Sequence, residues 1–179
     1  MKGVVFTEFL EMVEEKFGYE TVDHILTQEK LNSGGVYTAI GTYEHSEMVQ
    51  LITHLNAKTN IEVPTLLKEF GKYLFGTFKT NYGGFFEKAK DSFTFLESIE
   101  HYIHVEVRKL YPDAELPKFE SKRIRKNTLE LVYYSERRMS DFAEGLIEKT
   151  LEHYGEKATI NKTLIKEDGS EVKFTIEME

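Results

Sequence analysis

The spacing of apolar residues changes near Pro112, and this change constrains the fold more than any other feature of the chain. Before Pro112 the apolar positions recur at close to helical spacing, as in the first segment, with Val5, Phe6, Phe9, Leu10, Val13 and Phe17. After it, apolar and polar residues alternate, most clearly between Glu171 and Met178. Helices followed by antiparallel strands indicate an α+β fold.

The same patterns predict the individual elements. Helices are expected at residues 2–17, 20–31, 44–58, 62–80 and 91–110, with a break at Asn81-Tyr82-Gly83-Gly84. Strands are expected at 118–124 and 128–134, followed by a helix at 139–154 and a last hairpin with an Asp168-Gly169 turn. We expect one domain over 1–179. Its helical half, about 1–112, packs on a half of about 113–179 with a small antiparallel sheet and a crossing helix.

Charge and composition exclude several classes of function. The net charge of −8 argues against nucleic acid and against an anionic membrane surface as partners. The chain has no cysteine, which excludes disulfides and thiolate metal sites. Glu8 and Glu11 interrupt any secretory apolar run, and no segment approaches the ~20 apolar residues of a membrane span, so we expect a cytoplasmic protein. The basic run 122–126 is either a solvated hairpin tip or a docking patch.

One short segment has the chemistry of an anion site. Tyr133-Tyr134-Ser135-Glu136-Arg137 fits the pattern Y-x-S-x-R, with two hydroxyls and a guanidinium at alternating positions. In extended backbone alternate side chains point the same way, so Tyr133, Ser135 and Arg137 are expected to converge on one carboxylate.

Six histidines are present, and helical phase separates two of them. At about 100° per residue, an apolar stripe is predicted along the 91–110 helix at Leu96, Ile99, Ile103, Val107 and Leu110. His104 lies beside this stripe and can project into a cavity, whereas His101 lies on the opposite face. A His101/His104 metal pair is the alternative, but it needs two further ligands.

Together these features resemble the H-NOX family, the haem–nitric oxide/oxygen binding domains related to the sensor domain of soluble guanylate cyclase. The stand-alone bacterial type is the most similar. Besides Y-x-S-x-R and His104, the resemblance rests on Met1-Lys2-Gly3-Val4-Val5, on Leu116-Pro117 and on Gly145-Leu146-Ile147. It implies a haem b between the two halves of the chain.

The resemblance also implies a role for each site residue. His104 falls on the proximal iron ligand, and Tyr133, Ser135 and Arg137 fall on the residues that hold the propionates. Pro117, which follows Leu116, and Val5 match positions that press on the porphyrin from its two sides. Phe142 replaces the distal tyrosine of oxygen-binding members, and Leu74 and Phe9 replace its polar supports. An apolar wall is completed by Val5, Phe78 and Leu146.

The function implied is a sensor of nitric oxide that also binds CO, excludes O₂ and is not itself an enzyme. Its signal is expected to pass, through release of His104, to a histidine kinase or a cyclic-di-GMP-metabolising protein. Three alternatives stay open: an O₂ sensor with an unidentified donor (Tyr73 or Tyr82), a haem enzyme such as a peroxidase, and a scaffold that never binds haem. A peroxidase needs a distal acid–base residue, and the predicted wall contains none.

Overall fold

A computed structural model describes all 179 residues and has the predicted α+β architecture. The helices are α1 (Gly3–Phe17), α2 (Tyr19–Thr27), α3 (His45–Thr59), α4 (Val63–Asn81), α5 (Gly83–Glu87), α6 (Ser92–Ser98), a π-helical segment (Ile99–Ile103), α7 (His104–Leu110) and α8 (Ser140–His153). The strands are β1 (Lys118–Arg125), β2 (Thr128–Tyr134), β3 (Ala158–Leu164) and β4 (Glu171–Met178). They form one antiparallel sheet in the order β1-β2-β4-β3.

Most predicted boundaries lie within one or two residues of the structure, and three differences have physical causes. The second helix ends at Thr27 instead of residue 31, and Leu31 is buried in the loop that follows. The expected break at residues 81–84 contains the start of α5, a short helix whose Phe86 is buried between Phe75 and Phe95. The third difference is a π-helical turn within the predicted 91–110 helix.

The π-helical segment makes the predicted apolar stripe wrong at Leu110. The backbone N–H of His104 bonds to the carbonyl of Ile99, five residues earlier, so this turn holds one residue more than an α-helical turn. An extra residue rotates all later side chains by about 100° around the helix. Leu110, predicted to be buried, is therefore 57% exposed, while His104 is only 8% exposed.

The structure has two main apolar cores, one among the helices and one against the sheet. The helical core is built around Phe6, Phe9, Met48, Leu55 and Phe70, all fully buried. In the second core the inner face of the sheet packs against α6 and α8. On this face three residues of β2 lie opposite three residues of β4: Leu129 opposite Ile176, Leu131 opposite Phe174 and Tyr133 opposite Val172.

Helix α8 crosses between the hairpins and joins both cores. Its Ala143 and Ile147 lie in the sheet core, and its Phe142 packs against the helical core. It also lies very close to α4, because a Cβ on Gly145 would stand 2.1 Å from the carbonyl oxygen of Lys68. A Cβ on Gly71 would stand equally close to the carbonyl oxygen of Phe142. Two glycines therefore allow the backbones of α4 and α8 to touch.

The exposed basic run at 122–126 forms the β1–β2 hairpin end, as one of the two interpretations predicted. Within it, Arg123 is bound by Glu97 at 2.6 and 2.9 Å and lies over the ring of Phe93. None of the helices combines the length and the apolar character that a membrane crossing requires.

Candidate functional site

A large apolar cavity lies between the helical half and the sheet. It has about 1230 Å³ of empty volume, including the part that opens to solvent, and 20 of its 27 lining residues are hydrophobic. Its walls come from α1, α4, α6 to α7, the loop before β1, the end of β2 and α8. A mostly apolar cavity with a few polar groups is the usual form of a cofactor site.

His104 is a polar residue in this cavity that is almost fully buried. It follows the π-helical segment directly, and its Nδ1 lies 3.2 Å from Oε2 of Glu100. Burial lowers the pKa of the imidazole below its ordinary value, although the Glu100 carboxylate acts in the opposite direction. A neutral imidazole with one nitrogen engaged by a carboxylate is the form in which histidine binds metals. His101 is exposed, as predicted.

Glu100 is a functional candidate that the sequence analysis missed. Its Oε2 accepts a hydrogen bond from the backbone N–H of Phe119 at 3.1 Å, and its Oε1 lies 3.6 Å from Arg108. Burial alone would raise the pKa of this carboxyl, but the bonds from Phe119 and His104 outweigh it and hold the pKa below its usual value. The signal available in the sequence was the i, i+4 spacing of Glu100 and His104 on one helix.

Tyr133, Ser135 and Arg137 all line the cavity, but not for the reason predicted. Of the three, only Tyr133 lies in a strand; β2 ends at Tyr134 and the chain then turns, with Arg138 at φ 55°. The expectation of one extended segment is therefore wrong, and a turn brings the three side chains together. The Ser135 Oγ accepts from the N–H of Arg137 at 3.2 Å, which holds the turn.

Arg137 is the cationic member of the Tyr133, Ser135 and Arg137 group. Its guanidinium donates to the carbonyl oxygen of Glu115 at 2.7 Å and to Oε2 of the same residue at 2.9 Å. The Glu115 side chain is 86% exposed, so it is a solvent-facing partner that another carboxylate can replace. The Tyr133 hydroxyl accepts from the N–H of Met139 at 3.0 Å and keeps its own proton free to donate.

The apolar part of the cavity contains most of the predicted residues. We call Leu74 and Phe78 of α4 with Phe142 and Leu146 of α8 the α4–α8 wall. Val5, Leu116 and Pro117 also line the cavity.

Phe9 does not reach the cavity. It is fully buried behind the α4–α8 wall, with its ring 5.2 Å from that of Phe70, which in turn lies 5.1 Å from that of Phe142. Helix α1 presents Phe9 to the helical core, so its place beside a bound ligand stays a prediction.

The α4–α8 wall offers no free hydrogen-bond donor. Tyr73 and Tyr82, the alternative donors, are not among the lining residues. Thr150 is the residue of α8 that brings a hydroxyl to the cavity lining, and this hydroxyl donates to the carbonyl oxygen of Leu146 at 2.8 Å. The four side chains of the wall itself are hydrocarbon only.

These residues fit a haem better than a bare metal ion. No three His, Cys, Asp or Glu side chains lie together in a way that could hold a metal ion. A single buried imidazole suits a metal that brings its other ligands with it, as iron does in a porphyrin. The apolar slot suits the macrocycle, and the Tyr133, Ser135 and Arg137 group suits its propionates.

Comparison with known proteins identifies the class to which this fold and site belong. The family model described as Haem-NO-binding matches residues 2–162. No curated protein sequence matches the chain.

Solved structures of similar proteins agree. The H-NOX protein of K. algicida in its unliganded Fe(II) state is 49% identical, with a TM-score of 0.96 over 100% of this chain and 97% of that one. The IWP-051-bound H-NOX of Shewanella woodyi in its Fe(II)CO state is 40% identical, with a TM-score of 0.85 over 100% and 95%. The S. oneidensis protein in its Fe(II)NO state is 26% identical, with a TM-score of 0.91 over 100% and 99%.

The chain therefore belongs to the H-NOX family of haem-binding gas-sensor domains, as the sequence resemblance predicted. Members of the family bind gases such as NO and CO, and they are generally sensors without enzymatic activity.

Proposed function

We propose that this protein is a nitric oxide sensor. It binds NO and CO at five-coordinate ferrous haem b, excludes O₂ and signals to a separate partner when His104 leaves the iron. The observation that carries the proposal is the hydrocarbon α4–α8 wall, Leu74, Phe78, Phe142 and Leu146, beside a cavity with one buried histidine.

Each group of cavity residues has one task in this proposal. His104 is the only protein ligand to iron, and Tyr133, Ser135 and Arg137 bind the propionates. Val5 and Pro117 press on the macrocycle, and Leu116 packs beside Pro117. When bound, the haem supplies a ferrous iron with one open coordination position for a gas.

The side chains of the α4–α8 wall determine which gases form stable complexes with the iron. Bound O₂ draws electron density from ferrous iron and needs a hydrogen-bond donor in a dry pocket to be stable. NO and CO bind ferrous iron well without a donor. The hydrocarbon side chains of the wall therefore favour NO and CO over O₂. The Fe(II)NO state of the S. oneidensis protein and the Fe(II)CO state of the S. woodyi protein support binding of NO and CO by this chain.

Release of His104 can change the surface through contacts between the two halves. The loop that follows α7 carries Asp113, which binds Lys2 at 3.2 Å, and Glu115, which binds Arg137. Movement of α7 would shift this loop against α1 and against the end of β2. The partner that reads the change is proposed to be a histidine kinase or a cyclic-di-GMP-metabolising protein, with the chain acting as one domain in the cytoplasm.

Replacement of His104 by glycine tests the proposal. His104→Gly protein should load haem only when imidazole is supplied, because the free imidazole fills the space and restores the ligand. His101→Gly is the matched control, since His101 is exposed on the same helical segment and should retain haem normally. Normal haem retention by His104→Gly without imidazole would remove His104 from the iron.

A further inference from the structure

Glu100 joins His104 to the edge strand of the sheet. One carboxylate oxygen, Oε2, lies 3.2 Å from Nδ1 of His104 and also accepts the backbone N–H of Phe119 in β1 at 3.1 Å. The other oxygen lies 3.6 Å from Arg108 on α7. The side chains of Glu100 and His104 are 23% and 11% exposed, so these contacts are only partly screened by water.

The local backbone fixes this arrangement. Glu100 lies within the π-helical segment that ends immediately before His104, and the His104 N–H bonds to Ile99 across the widened turn. The Phe119 ring also lies against the imidazole, with 5.9 Å between the ring centroids. Carboxylate, imidazole and β1 therefore form one connected unit.

A carboxylate on Nδ1 has two consequences for the imidazole. It favours the tautomer with the proton on Nδ1, which leaves the lone pair on Nε2 for a metal. It also makes the ring a stronger electron donor, because negative charge near the N–H increases ligand basicity. The Phe119 N–H holds Oε2 of Glu100 in place. The hydrogen bond between this fixed oxygen and Nδ1 therefore opposes rotation of the imidazole ring.

We propose that Glu100 is a positioning residue that presents Nε2 of His104 to iron and strengthens the bond, so that it sets how readily NO releases His104. This inference rests on the proposed function and names a regulator of the same site. The cost of losing such a partner in metal sites is typically about 10- to 100-fold in metal affinity or activity.

Two substitutions and one control separate the roles of charge and hydrogen bonding. Glu100→Gln removes the charge but keeps an amide oxygen that can accept both hydrogen bonds, so the fold should be preserved. Glu100→Ala removes both. Glu97→Gln is the control. Glu97, in α6, also links the helices to β1, because it accepts two hydrogen bonds from Arg123.

The primary readout is the iron–histidine stretching band in the resonance Raman spectrum of the ferrous, gas-free protein. We expect a lower frequency in Glu100→Gln, a still lower one in Glu100→Ala, and no change in Glu97→Gln. With NO added, the ratio of His104-released to His104-bound protein should rise by about 10-fold or more in the Glu100 variants.

The outcomes distinguish this inference from the proposed function. An iron–histidine band at the wild-type frequency in Glu100→Gln and in Glu100→Ala overturns the role of Glu100 and leaves the sensor proposal standing. If Glu100→Ala fails to load haem, Glu100→Gln alone decides. A wild-type protein that has no iron–histidine band contradicts the proposed function, and with it this inference.

Discussion

The close contact between α4 and α8 makes a specific prediction for Gly145→Ala. The added Cβ would stand 2.1 Å from the Lys68 carbonyl oxygen, whereas real Cβ contacts lie above 3.0 Å, so the helices must separate by about 1 Å. Overpacking of this kind costs about 1–3 kcal/mol. The upper part of that range applies here, because the Lys68 oxygen belongs to the backbone and the alanine Cβ has no rotamer that avoids it.

The helix preference of alanine over glycine offsets about 1 kcal/mol of that cost. The expected net loss is therefore about 2 kcal/mol in the free energy of unfolding, or roughly 4–8 °C in Tm for a chain of this size. The contact also holds the two sides of the α4–α8 wall together, so Gly145→Ala should broaden the haem absorption bands as the wall loosens.

Urea and thermal unfolding followed by circular dichroism test this prediction. Gly76→Ala is the matched control, since Gly76 is exposed on α4 and a Cβ there would have no neighbour within 4 Å. That variant should gain up to about 1 kcal/mol from helix preference alone. If Gly145→Ala proved as stable as the wild type while Gly76→Ala showed its gain, the reasoning from the helix contact would be refuted.

Two further predictions concern the cavity. Arg137→Ala removes a charged hydrogen-bond partner worth about 1.5–3 kcal/mol, so haem transfer to an apo-globin acceptor should become roughly 10- to 100-fold faster. Arg138→Ala, which loses only an exposed pair with Asp168, should transfer haem at the wild-type rate, and equal rates for both variants would remove Arg137 from the site. Phe142→Tyr adds a phenol to the α4–α8 wall and should give weak, partial O₂ binding, because Leu74 cannot orient the new hydroxyl. If this variant formed no O₂ complex at all, a donor at this position would be insufficient.

The sequence predicted the architecture well because local spacing carries most of it. The change of period near Pro112 correctly placed helices before strands, and the alternation from Glu171 to Met178 is the observed β4. Y-x-S-x-R and His104 pointed to the cavity even though their local geometry was only partly predicted.

The errors arose where the backbone departs from regular geometry. No spacing rule revealed the π-helical segment, so the stripe drawn through Leu110 was rotated away from the buried face. The turn after Tyr134 was missed for a similar reason, since Arg138 adopts positive φ without being glycine. The burial of Phe9 in the helical core was not predicted, because a helix that is apolar on a wide face does not say which side meets the cavity.

Glu100 shows the other limit of sequence reasoning. An acidic residue four positions before a histidine is common on exposed helices, where it contributes little. Its importance here comes from the N–H of Phe119 and from burial, both of which depend on how β1 packs beside the helix.

The absorption spectrum of the ferrous protein, recorded alone, with NO, with CO and in air, tests the central claim most directly. We predict a coloured protein that forms stable complexes with NO and CO and none with O₂, because Leu74, Phe78, Phe142 and Leu146 present no donor to a bound gas. A long-lived O₂ complex in the unmodified protein would contradict the account, and a colourless protein would contradict haem binding itself.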